Sequence, residues 1–159
     1  FVGKEWKRKG LDIAVRVVEE FRKTHLTATL SVFGVDPSAL PRSIRMRDWI
    51  SFQGWSSNIP WTDFDLLIHP ARKEPFGIVV AEARSLGIPV VMSSQVGAAD
   101  LEFSETKVLD ISAPVAKWCH AASELIQMNT RERELKWSWS DLVEKHIETI
   151  YPQLEAVIL

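Results

Sequence analysis

Apolar side chains recur along this chain in two different periods, and their alternation predicts an α/β domain. From Gly10 to Lys23 the positions Leu11, Ile13, Ala14, Val17, Val18 and Phe21 follow helical spacing, with Arg16, Glu19, Glu20, Arg22 and Lys23 largely opposite. Thr27 to Val35 alternates and then runs apolar, a strand closed by Gly34. Further strands are expected over Trp49 to Phe52, Phe64 to His69 and Pro89 to Met92, with a weak one over Lys107 to Ile111. Helices are expected over Phe76 to Leu86, capped by Gly87, and over Pro114 to Met128, with Pro114 in the first turn. Asp36 to Arg47 reads as a loop with a short helix, and Ser140 to about Leu154 as a final amphipathic helix. Short apolar strands separated by helices imply βαβ units, hence a Rossmann-like doubly wound parallel sheet with helices on both faces. Ligands of such sheets sit beyond the carboxyl ends of the strands. Those ends are Gly3-Lys4, Gly34-Val35, Gly54-Trp55, His69-Pro70 and Ser93-Ser94.

Composition narrows the class. The 159 residues suit a single domain, and with 46% hydrophobic residues the chain can bury a core. A net charge of −2 offers no general field for nucleic acid. The one cysteine, Cys119, excludes an internal disulfide, and no apolar run reaches the roughly 18 residues of a membrane span. A reduced, soluble, cytoplasmic protein is expected. Phe1-Val2-Gly3 reads as the end of a strand, which suggests a piece of a longer protein.

The glycines exclude the usual tenants of such a sheet. They stand at positions 3, 10, 34, 54, 77, 87 and 97, so neither G-x-G-x-x-G nor a Walker A loop can be formed. There is no G-x-S-x-G elbow either.

The informative run is Glu74-Pro75-Phe76-Gly77-Ile78-Val79-Val80-Ala81-Glu82-Ala83, which follows a strand and opens a helix. Gly77 would let a ligand approach the first helical amides, and a helix N-terminus favours an anion. Carboxylates beside such a site suit hydroxyl groups, as on a sugar or ribose, rather than the phosphate itself. The run resembles the E-x7-E signature of glycosyltransferase family 4, retaining enzymes of the GT-B fold. The likeness continues through Leu86-Gly87 and Pro89-Val90-Val91. It recurs at Phe1-Val2-Gly3-Lys4 with Lys9-Gly10, at Phe52-Gln53-Gly54, at Val96 to Asp100, and at Trp137-Ser138-Trp139 with Tyr151.

That resemblance implies the donor-binding, C-terminal half of a two-domain enzyme that takes a nucleoside-diphosphate sugar and needs no metal. Glu74, with Phe76 and Gly77, would hold the donor sugar, and Glu82 the ribose. Gly3, Lys4 and Lys9 would hold the pyrophosphate, and Gly54 and Trp55 could meet the base. No catalytic residue is expected within this half. The acceptor and a catalytic histidine would belong to an N-terminal domain of the same chain, and the full-length enzyme could lie at a membrane surface. Two positions depart from the family pattern: Lys4 stands where arginine is commoner, and Asp100 where glutamate is. Alternatives of the same architecture are a nucleotide-sugar epimerase and a non-catalytic interaction module.

Blander roles are expected elsewhere. Lys7 and Arg8 read as solvated, and His69 as packed or solvated. Trp49, Trp118, Trp137 and Trp139 read as packing residues, while Trp6, Trp55 and Trp61 are candidates for stacking on a ligand. Asp63-Phe64-Asp65 spells a metal-holding D-x-D, but at the amino end of its strand, on the wrong side of the sheet. The apolar stripe of the final helix and the tail Val157-Ile158-Leu159 are expected to form an exposed interdomain surface.

Overall fold

The computed structural model, which describes residues 1–101 and 104–129, holds two parallel sheets. The first pairs β1 (Leu30–Phe33) with β2 (Ile50–Gly54), from Leu30 opposite Ile50 to Phe33 opposite Gly54. The second runs β3 (Leu67–His69), β4 (Val90–Ser93), β5 (Thr106–Leu109) in that spatial order. Its register sets His69 beside Met92 and Met92 beside Val108. Residues 1–3 lie along the other edge of β1, with Phe33 N donating to Phe1 O and Gly3 N to Phe33 O, both at 3.0 Å.

The period-2 pattern of the strands feeds two cores. Ile68 and Val91 point to one side, with Leu11, Val17, Trp118 and Leu125 of α2 (Leu11–Phe21) and α5 (Val115–Asn129). Leu67, Val90 and Met92 point to the other, with Val80, Ala81 and Ala83 of α4 (Ile78–Ser85). Both faces of the second sheet are therefore covered, which is why β4 is buried at every residue and reads as a continuous apolar run. A cavity of about 530 Å³ lies between β1 and β3, walled by Val17, Phe21, Leu30, Leu66 and Ile68 and by the polar Ser31, Asp63 and Asp65.

Several expected boundaries move. The helix expected from Gly10 begins at Leu11 and ends at Phe21, and a separate turn, α1 (Trp6–Lys9), precedes it. Gly10 between them is left-handed (φ +78°), and a Cβ there would lie 1.9 Å from the Pro70 carbonyl oxygen. The chain therefore turns at Gly10, pressed against the end of β3. The strand expected over residues 64–69 shrinks to β3, since Phe64 packs edge-on against Phe33 at 5.8 Å instead of joining the ladder. The short helix in the loop is α3 (Arg42–Arg45), and β5 and α5 start within a residue of expectation. Trp61, a stacking candidate from sequence, is a core residue at 8% exposure. Trp49 and Trp118 are buried as expected. Trp137, Trp139, Tyr151, the final helix and the tail Val157 to Leu159 lie outside the described residues.

Candidate functional site

Three segments converge at the carboxyl edge of the two sheets. The first is the turn after residues 1–3. The aliphatic stem of Lys9 lies across Gly3, so close that a Cβ on Gly3 would come within 2.7 Å of Lys9 Cγ. Gly34 stacks against the Gly3 backbone, and its amide donates to Gly54 O at 2.6 Å, which lines three glycines along this edge. The lack of side chains leaves the edge open to a ligand's backbone-scale approach.

The second segment is the loop from β3 to α4. Arg72 N donates to Arg8 O at 2.8 Å, and the Arg72 guanidinium forks onto Asp12 at 2.8 and 2.7 Å. Arg8 in turn forks onto Glu5 and donates to Lys73 O at 2.7 Å. Burial presses the Asp12 carboxyl upward, but the Arg72 hydrogen bonds and charge outweigh it and hold it below its ordinary value. These contacts fasten α1 to the loop and carry Lys9 to Glu74, with which it forms an ion pair. Both side chains are largely covered, at 15% and 12% exposure, and Arg8 stands 3.9 Å from the same Glu74 oxygen. Arg8, expected to be solvated, is 35% exposed and also ties α1 to the loop that carries Glu74. Nothing local in the sequence joins Asp12 to Arg72, which are 60 residues apart.

The third segment is the loop after β4. Glu74 N donates to Gln95 O, Gly97 N to Glu74 O and Ala98 N to Phe76 O, at 3.1, 3.0 and 2.7 Å. The two loops are zipped so tightly that a Cβ on Gly97 would lie 2.0 Å from Pro75 O. Buried Ser93 reinforces the zip, its hydroxyl donating to Ala71 O and accepting from Gln95 N. The 97–100 segment, a short 3-10 turn, therefore buttresses the Glu74 loop.

Helix α4 opens at Gly77 without a side-chain cap, and Val80 and Ala81 already donate back to Gly77 O. The amides just ahead of them are the ones that a helix leaves for a cap or a ligand. Ile78, at this opening, is 57% exposed.

Beneath these loops His69 is fully buried with neither ring nitrogen hydrogen-bonded. Burial, with Lys9 and Arg8 nearby, pushes its pKa down to about 3, so it is neutral near pH 7. Glu82 stands on α4, half-buried, its carboxyl raised by that burial. Lys4 is exposed. Trp55 is 71% exposed just beyond Gly54. Among the described residues, no hydrogen bond or ion pair joins Glu82, Lys4 or Trp55 to the Lys9–Glu74 pair. Nor do the described residues hold any group of three His, Cys, Asp or Glu side chains able to share a metal ion.

The sequence matches the family model for glycosyl transferases group 1 over residues 1–128. The chain belongs to the group 1 glycosyl transferases. The lipopolysaccharide glucosyltransferase WaaG of Escherichia coli K12 is 24% identical over 155 residues, 93% of this chain and 41% of WaaG. The fold matches those of solved glycosyltransferases, as the GT-B expectation requires. The WaaG crystal structure superposes with a TM-score of 0.64 over 93% of this chain and 45% of that one, at 22% identity. The pneumococcal O-GlcNAc transferase GtfA, solved with UDP and GlcNAc, gives 0.67 over 99% and 35%, at 18% identity. Anabaena HepE, solved with UDP, gives 0.62 over 96% and 49%, at 18% identity. This group 1 glycosyl transferase chain thus spans less than half the length of the relatives it matches. None of its described helices is long and apolar enough to cross a membrane.

Proposed function

We propose that this chain is the donor-binding domain of a glycosyltransferase, and that it takes a nucleoside-diphosphate sugar at the carboxyl edge of its sheets. The observation that carries the reading is the meeting of Lys9, Gly3, Glu74 and the uncapped start of α4 in one place. A diphosphate there would face cations and helical amides, while its sugar would lie against Glu74, Phe76 and Gly77. Glu82 would take the ribose hydroxyls, and Gly54 with exposed Trp55 the base. That WaaG, GtfA and HepE are glycosyltransferases or were solved with UDP supports the choice of ligand.

In the transfer itself, the bond from the anomeric carbon to the diphosphate oxygen breaks and one to an acceptor hydroxyl oxygen forms, the hydroxyl proton passing to a base. Negative charge then grows on the leaving diphosphate, where Lys4, Lys9 and the first amides of α4 would stabilise it. These groups supply the neutralisation that a divalent metal gives in other enzymes, so the reading is metal-free. The E-x7-E likeness favours retention of configuration. The acceptor and its catalytic groups would come from a further domain of the same protein.

Thermal denaturation with uridine, guanosine and adenosine diphosphates and their sugars tests this. A ligand at 100 times its Kd should add about 2.7 kcal/mol of stability. Glu82→Ala should weaken the bare diphosphate and its sugar alike, whereas loss of Glu74 should narrow the advantage of the sugar-bearing form over the bare diphosphate. No stabilisation by any of the six would remove the proposal and leave a non-catalytic module.

A further inference from the structure

The Lys9–Glu74 pair joins the group expected to hold phosphate to the group expected to hold sugar. Burial and the neighbouring Arg8 both press the Lys9 ammonium to give up its proton, and the charge of Glu5 opposes them. Glu5 is itself forked by Arg8, and Glu74 is the carboxylate in direct contact with the Lys9 ammonium. The backbone of Glu74 is pinned on both sides, to Gln95 O and by Gly97 N. Its carboxylate can therefore leave Lys9 by side-chain rotation alone.

Resting on the donor-binding reading, we propose that Glu74 is the resident counter-ion of Lys9 and makes the site select intact donor over spent diphosphate. A bare diphosphate must displace the carboxylate from Lys9 and then sits beside an anion left with only the more distant Arg8. An intact donor displaces it too, but offers the freed carboxylate its sugar hydroxyls. Once the sugar has been transferred, those hydroxyls are gone. Glu74 then competes with the diphosphate for Lys9 and speeds its release.

The test compares dissociation constants for a nucleoside diphosphate and its sugar, by calorimetry, in the wild type, Glu74→Gln and Glu74→Asp. The glutamine variant removes the competing charge, and the aspartate keeps it on a stem one methylene too short to pair. Both should bind the bare diphosphate more tightly, by about tenfold for the loss of a largely covered competing charge. In both, the wild-type preference for the sugar-bearing form should shrink. Thermal denaturation checks the fold of each variant, and either one that folds suffices. Unchanged or weaker diphosphate binding in a folded variant, with a wild type that binds, overturns the counter-ion role and leaves the donor site standing. A wild type that binds neither ligand overturns both.

Discussion

Replacing Gly97 by alanine would strike the zip between the two loops that carry the site. The added Cβ would meet Pro75 O at 2.0 Å, Pro75 C at 2.9 Å and Phe76 Cα at 3.1 Å, all backbone. No flexible side chain can swing aside, so the 74–76 segment must move away. Overpacking of this kind costs about 1–3 kcal/mol. The shift also strains two hydrogen bonds, Gly97 N to Glu74 O and Ala98 N to Phe76 O, each worth about 1 kcal/mol. A total of roughly 2–4 kcal/mol follows, which in a domain of this size lowers Tm by roughly 5–15 °C. Circular dichroism melts of the wild type and Gly97→Ala measure it. Gly54→Ala is the control: its Cβ would meet nothing within 4 Å, so only its left-handed backbone (φ +66°) is penalised, by about 1–2 kcal/mol. Binding of the sugar-bearing nucleotide should fall with Gly97→Ala, because Glu74 and Phe76 are displaced with the loop. A Gly97→Ala domain that melts within a degree of the wild type, or above Gly54→Ala, would refute the zipped-loop account.

Three further outcomes are expected. His69 titrates near 3 in the fold but near 6.5 in the unfolded chain, so its contribution is intact above pH 6.5. It is lost as the pH falls towards 3, by at most about 1.4 kcal/mol per unit, and urea melts of His69→Leu should show a shallower decline; equal slopes between pH 6.5 and 4.5 would contradict this. Trp61→Ala should cost about 3–5 kcal/mol in denaturant melts, whereas exposed Trp55→Ala should change stability by under about 0.5 kcal/mol and weaken nucleotide binding; matching losses of stability would sink that division. Diphosphate affinity measured by calorimetry should be the same with and without EDTA, and its abolition by EDTA would return attention to Asp63 and Asp65.

What the sequence disclosed follows from how local each signal is. Val90 to Met92 is apolar because both faces of β4 are covered, and that requirement writes itself into consecutive residues. The amphipathic stripe of α2 is equally local. Phe64 misled because an apolar residue that packs on a loop looks the same in sequence as one that joins a ladder. The turn α1 was hidden because Trp6-Lys7-Arg8-Lys9 buries none of its four residues and so shows no stripe. At the site, Glu74, Gly77, Lys9 and Gly3 were legible through their family pattern, but the link from Lys9 to Glu74 was not. It depends on Asp12 and Arg72, whose pairing spans most of the first half of the chain. Arg8 likewise reads as one more exposed cation until its carbonyl partner at Lys73 is seen.

The central claim is the place where the nucleotide binds, and amide chemical-shift mapping on the ¹⁵N-labelled chain tests it most directly. Titration with the stabilising nucleoside diphosphate should move the amides of Gly3, Lys9, Gly77, Ile78 and Gly97, with smaller shifts at Gly54 and Trp55. Shifts gathered instead at Leu30, Ser31, Leu66 and Ile68 would place the ligand in the cavity between β1 and β3 and contradict the account.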